Sequence, residues 1–284
     1  MTADHLDLVA IGHLTFDRTP GGTRPGGAAY YAAMTAWRLG LRPGLLTSCG
    51  PDVPGDVLPP EVEVVRVPSD RTTIFELQDA PGGRRLRLLS RASDLEENHL
   101  PEEWRDAPLA MLCPVINEVD PALSACFPEA SLGVLPQGWL RQRGAGGAIT
   151  SGEWEDAEVV LPHAQLLVVS AEDIEPVEKA ALEWFQHIPL GAITRGSRGA
   201  VLFVNGERYH VEPDHATQVD ATGAGDVFAT TLLIEYQREG NPWEAAAAAA
   251  CAAAASVEAA GVDGIPDRGG LMARVAAYHR RLGG

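Results

Sequence analysis

The chain has 284 residues, 45% of them hydrophobic and 21% charged, with a formal net charge of −17. That length and mixture suit one large α/β domain over residues 1–284, with room for a small accessory element. The acidity and the lack of any lysine–arginine cluster exclude a general nucleic-acid binder, and no apolar run nears the roughly 20 residues of a membrane span.

Residues 1–5 have neither a basic region nor a long apolar segment, so no signal peptide is expected. Residues 6–12 are a short apolar run ending in Gly12, the pattern of a buried strand. Residues 28–39 have helical spacing, and Gly40 stops them. Residues 44–48, 109–114, 132–135, 166–170 and 190–194 read as further short strands. A helix is expected over 175–186, with Pro176 suited to its first turn. This βαβ rhythm predicts a doubly wound, mostly parallel sheet with helices on both faces.

Two hairpins interrupt the rhythm. Residues 72–78 and 84–90 flank Asp79-Ala80-Pro81-Gly82-Gly83, and 200–204 and 207–211 flank the two-residue turn Asn205-Gly206. The first is polar at alternate positions, so a small β flap spanning 72–90 is expected beside the main sheet. The C-terminal third is helical, over 224–238 and then over the alanine-rich 242–260. Alanine has the highest helix propensity, and its small side chain permits close packing. The four cysteines, Cys49, Cys113, Cys126 and Cys251, have neither metal-ligand nor redox spacing and read as reduced core thiols of a cytoplasmic protein.

The segment Val219-Asp220-Ala221-Thr222-Gly223-Ala224-Gly225-Asp226-Val227-Phe228 carries the chemistry. It opens a helix, so the amides of 222–225 lack intrahelical partners and point outward with the positive end of the helix dipole. Such a turn is an anion site, and Gly223 and Gly225 are expected to let a ligand approach the backbone closely. Asp226 follows in the first turn. An anion cradle beside a carboxylate base is what phosphoryl transfer to a hydroxyl requires.

This string resembles the C-terminal signature of the ribokinase-like (PfkB) carbohydrate kinases. The resemblance implies an ATP-dependent kinase in which Asp226 is the catalytic base and Gly223, Ala224 and Gly225 form the anion hole. Asp220 and Thr222 then match residues near a monovalent-cation (K⁺) site and a phosphate site. Upstream, Gly12-His13-Leu14-Thr15-Phe16-Asp17 resembles the end of the family's first strand, implying that Asp17 binds substrate. Gly26 and Gly27 match a glycine pair on which substrate lies, while Tyr31 stands where the family has an asparagine. Ser170-Ala171-Glu172-Asp173 matches the segment that orders water around Mg²⁺, with Ser170 and Asp173 in place of the usual pair. Thr194-Arg195-Gly196-Ser197-Arg198-Gly199 matches the nucleotide loop, implying phosphate contacts from Thr194 and Gly196. Gly261 falls in a loop bordering adenine and cation. The run from Thr72 to Leu89 and Pro136-Gln137-Gly138-Trp139-Leu140-Arg141 look like the inositol-kinase-like branch, although Leu135 stands where that branch has aspartate. Relatives with such flaps can pair through them, so a homodimer through the lid is expected.

Other classes fit less well. A P-loop enzyme needs a lysine in a glycine-rich loop, and Lys179, the sole lysine, has no such context. A protein kinase needs a lysine on an early strand. A dinucleotide-binding fingerprint would place a third glycine where Phe228 stands. The remaining alternative is a non-catalytic small-molecule or nucleotide sensor on the same fold.

Overall fold

The computed structural model describes residues 5–80, 83–174 and 178–283. Numbered along the chain, the strands of its main sheet are β1 (Leu8–Ile11), β4 (Pro43–Cys49), β5 (Glu63–Pro68), β8 (Leu109–Leu112), β9 (Ser131–Val134), β12 (Leu166–Ser170), β13 (Leu190–Thr194), β14 (Ala200–Val204) and β15 (Glu207–Val211). They lie in the order β15-β14-β13-β12-β9-β8-β1-β4-β5, all pairs parallel except β13–β14 and the edge pair β14–β15, which are antiparallel. The Asn205-Gly206 turn joins these two edge strands, with φ of +50° and +82°, the left-handed pair that a two-residue hairpin demands.

Successive side chains of the inner strands enter two different cores. Leu8, Ala10, Met111 and Val168 pack toward α1 (Ala28–Arg38), α5 (Ala224–Glu239), α6 (Pro242–Ser256) and α7 (Arg268–Leu282). Val9, Ile11, Leu112 and Val169 meet Trp104, Phe127, Trp139 and Trp184 on the opposite face. Burial on both faces is why these strands read as unbroken apolar runs. The short helices α2 (Ala157–Val160), α3 (Ala171–Ile174) and α4 (Glu178–Trp184) belong to the second face. The expected start of a helix at Glu175 and Pro176 lies outside the described residues. Helix α6 begins under Asn241, whose side chain accepts from the amides of Trp243 and Glu244 at 3.1 and 3.2 Å, and it ends at Ser256, short of the expected 260. Its alanines are buried nearly all round, between α5 and α7.

A second sheet holds β2 (Thr15–Thr19), β3 (Gly22–Gly26), β6 (Thr73–Ala80) and β7 (Gly83–Ser90), in the order β3-β2-β6-β7. The expected flap hairpin is thus outside the main sheet, although Pro81 and Gly82 of its turn are not among the described residues. It is widened by β2 and β3, which the sequence reading did not mark as strands. The hairpin β10 (Arg141–Arg143) and β11 (Ile149–Ser151) reaches across to it. There Arg87 Nε donates to the Gly146 carbonyl at 2.7 Å, and Arg87 bridges Ala148 in antiparallel fashion, so the β7 edge is covered within the chain.

The chain enters this small sheet directly from the end of β1, and His13 holds the crossing. Its imidazole is fully buried, and burial lowers its pKa, leaving it neutral. The Ser93 carbonyl, 2.8 Å from Nε2, can only accept. Nε2 therefore carries the proton, and Nδ1 accepts from the Thr73 hydroxyl at 2.8 Å. The backbone amide of His13 donates to Glu118, a buried carboxylate that also receives the amides of Val115 and Ile116. Three crossings between body and flap are tied at one point. The strand order also reverses direction at β1, between β8 and β4, and ligands of open α/β sheets bind at the carboxyl ends of strands at such a point.

Candidate active site

The anion loop closes the carboxyl side of the sheet. Gly223, the residue before α5, has φ +79°, and the first intrahelical bond runs from the Val227 amide to its carbonyl at 2.9 Å. The amides of 224–226 therefore precede the helical ladder. The two glycines differ in purpose. A Cβ on Gly225 would meet nothing within 4 Å, so open space faces it. A Cβ on Gly223 would lie 2.3 Å from Tyr31 Cε1. The space at Gly223 is taken by the tyrosine ring rather than reserved for a ligand, which corrects the expectation for that residue.

Asp226 opens partly to the cleft, yet protein surrounds its carboxyl densely. Burial is the main influence pushing its pKa up to about 7; Asp173 and Asp17 add to the rise, and Arg141 opposes it. Gln137 Nε2 donates to Asp226 Oδ1 at 3.4 Å, and Arg141 donates to Gln137 Oε1 and to the Val115 carbonyl, both at 2.9 Å. The Arg141 guanidinium also lies 5.8 Å from the ring centre of Phe75 on β6. Gln137 and Arg141 thus belong to the surroundings of the carboxylate. The string that contains them stands out in the sequence, but no role for either residue could be read there.

Asp17 lies within β2, not at the end of the first strand as expected, because the chain turns into the small sheet at His13–Thr15. A Cβ on Gly26 would fall 2.5 Å from Asp17 Oδ2, and one on Gly27, whose φ is +100°, would fall 2.2 Å from the His13 carbonyl. The glycine pair makes room for this chain's own carboxylate and backbone, which corrects the reading of a substrate rest. Tyr31 does face inward. With Asp17, Arg24, Leu77, Asp220 and Thr222 it lines a cavity of about 220 Å³ between the small sheet and the body. The wall does not include Asp226 itself. Burial, then the charges of Asp226, Asp220 and Asp17, push the Tyr31 hydroxyl far up its range, so it stays protonated as a donor.

The remaining expected residues fall at the carboxyl ends of β12 and β13 or in the loops beside α5. Ser170 Oγ accepts from the Glu172 amide at 3.2 Å, a cap on α3. Burial raises the pKa of Asp173, and Arg141 counters it. Among the described residues no three His, Cys, Asp or Glu side chains converge as a metal cluster. A Mg²⁺ ion brought by phosphates and held through water needs none, and Asp173, whose charge reaches Asp226, suits that outer position. Thr194 and Gly196 bracket the turn after β13, and Gly196 adopts φ +56° with open space at its Cβ position. Asp220 accepts from the amides of Thr222 at 3.0 Å and Gly261 at 3.3 Å, and pairs with Arg24 at 3.2 Å. Burial alone would raise its pKa, but these donors hold it below the usual carboxylate range. The oxygens of Asp220 thus already receive two backbone amides and a guanidinium.

Residues 151–267 match the family model described as pfkB family carbohydrate kinase. That match covers less than half of the chain. The chain is 28% identical over 267 residues to the cytidine kinase of Thermococcus kodakarensis, covering 84% of this chain and 91% of that one. It shares its fold with a pyrophosphate-dependent kinase of the ribokinase family complexed with a pyrophosphate analog and myo-inositol, at a TM-score of 0.78 and 21% identity over 94% of this chain and 99% of that one. An Arabidopsis thaliana ribokinase complexed with ribose and ATP aligns at 0.71 and 18%, over 95% and 99%. The matched region contains the anion loop, while Asp17, Tyr31, Gln137 and Arg141 lie outside it. The family match therefore speaks for phosphoryl transfer and leaves the acceptor to the residues upstream. No helix among the described residues is long and apolar enough to cross a membrane.

Proposed function

We propose that this kinase moves the γ-phosphoryl group of ATP to a hydroxyl of a small polyol, sugar or nucleoside, with Asp226 as general base. The observation that carries this reading is the carboxylate of Asp226 in the first turn of α5, beside amides that precede the helical ladder and with its pKa raised to about 7. A base poised near the working pH accepts a proton efficiently and can still ionise. The acceptor lies against Asp17 and Tyr31. Asp226 takes the hydroxyl proton, the hydroxyl oxygen bonds to the γ-phosphorus, and the bond from that phosphorus to its bridging oxygen breaks, releasing ADP. The amides of 223–225 hold the charge on the transferring oxygens. Thr194, Gly196, Thr222 and Gly261 border the nucleotide, and Ser170 and Asp173 hold Mg²⁺ through water. When bound, that ion neutralises phosphate charge, so EDTA should abolish turnover and added Mg²⁺ should restore it.

The pyrophosphate-dependent kinases among the structural neighbours make pyrophosphate the second donor to test. ³¹P NMR of the enzyme with each donor and a panel of inositols, sugars and nucleosides reads the transfer directly. A new phosphomonoester with ATP supports the proposal. One with pyrophosphate alone changes the donor. None with either favours the sensor reading. A homodimer through the small sheet would use its outer face or the β3 edge, since β7 is covered.

Arg141 supplies a further expectation. Arg141→Met removes the positive charge that opposes the rise of the Asp226 pKa and frees Gln137. The acid limb of the pH–rate profile should move to higher pH, and Arg141→Lys should move it less. An unshifted limb in Arg141→Met would show that the guanidinium does not act on the base.

A further inference from the structure

We infer that Arg24 is a positioning residue whose guanidinium, carried on the small sheet, is the fixed counter-charge of Asp220 and makes the anion loop competent without a bound monovalent cation. This rests on the reading of 222–226 as the donor-phosphate site. Arg24 lies on β3, across the cavity from the loop, and its Nη1 donates to Asp220 Oδ2 at 3.2 Å. The same carboxylate fixes the loop from within, taking the Thr222 amide on Oδ1 and the Gly261 amide on Oδ2. It cannot be dispensed with, yet its negative charge stands two residues from Thr222, beside amides meant for anions. Left bare, it would repel a polyphosphate donor. A cation has to neutralise it, and the guanidinium stands at one of its oxygens.

Asp220 is mostly buried, with its side chain 16% exposed, while that of Arg24 is 46% exposed. Half-exposed pairs of this kind contribute little to folding stability. The pair's effect should therefore appear in anion affinity rather than in melting.

The test uses the full-length enzyme and two probes, a non-hydrolysable ATP analogue with Mg²⁺ and pyrophosphate with Mg²⁺. Their binding is measured by calorimetry in choline, Na⁺ and K⁺ buffers of equal ionic strength, and turnover is recorded alongside. For the wild type, the tighter-binding probe should have equal affinity in all three buffers. Arg24→Ala should weaken that binding about tenfold in choline, the effect of one lost charge partner near the site, and K⁺ should restore part of it. Arg24→Lys should lie between. In an Asp220→Asn background, Arg24→Ala should change affinity less than about twofold, because no charge remains to balance. Wild-type binding strengthened severalfold by K⁺, or an Arg24→Ala affinity within twofold of wild type, overturns the inference. So does a failure of the wild type to bind either probe. Phosphoryl transfer with K⁺-dependent binding would sink the inference and leave the kinase reading standing. Arg24-dependent binding without transfer to any acceptor would do the reverse.

Discussion

Replacing Asp226 with asparagine is expected to lower kcat by about 10²–10⁴-fold, the usual cost of losing a general base. Donor affinity should hold or improve, because the anion hole is built from backbone and a carboxylate leaves its neighbourhood. Stability should not suffer, and the sign follows from the pKa. The carboxyl is raised from its ordinary 3.8 to about 7. Its contribution to folding is fully present below the unfolded value and is lost as pH rises through about 7. An asparagine imitates the neutral form at every pH. The variant's melting temperature should therefore gain on the wild type as pH rises from 3.8 to about 7, against a helix-dipole loss of about 0.3–1 kcal/mol. Calorimetric melts at several pH values, run beside the kinetics, check both halves. Near-normal turnover would remove Asp226 from the reaction.

Gly223→Ala should be the most damaging methyl group that can be added to this loop. The position has φ +79°, and a Cβ there would overlap the Tyr31 ring at 2.3 Å. Holding a non-glycine residue in left-handed geometry costs about 1–3 kcal/mol, and overpacking a tight contact costs about 1–3 kcal/mol more. The ring belongs to a helix that also packs on β1 and β4, so it cannot retreat freely. Melting should fall by several degrees, and turnover by at least about tenfold as the amides of 224–226 shift. Tyr31→Ala in the same chain should recover the overlap but not the backbone strain. Gly225→Ala is the control, since its Cβ would enter open space and leave the fold intact. Equal melting of Gly223→Ala and wild type would show that the loop is looser than described.

The inner strands were legible because burial on both faces writes itself as short apolar runs, and Asn205-Gly206 announced its hairpin. The loop of Gly223 to Asp226 was legible because its glycines and acid sit together in sequence. The small sheet was only half visible. Strands β2, with Phe16 as its one apolar residue among Thr, Asp and Arg, and β3, with Thr and Arg between Gly and Pro, bury little, so they carry neither apolar run nor clear period. The purpose of Gly26, Gly27 and Gly223 was misread for a related reason. A glycine in sequence says that a Cβ is excluded, and only the packing says whether ligand, Asp17, His13 or Tyr31 excludes it. Arg24 and Arg141 act across the fold, one from the small sheet onto Asp220 and one from the start of β10 toward Asp226. Their roles depend on which strands become neighbours, and no local pattern records that.

The most direct test of the central claim is the pH dependence of kcat/KM for the acceptor, measured in parallel for the wild type and Asp226→Asn. The wild type should lose activity about tenfold per unit as pH falls below about 7, following protonation of one carboxylate. The residual rate of the variant should be flat through that range. The same acid limb in both proteins would mean that another group is the base, and the assignment of Asp226 would fall.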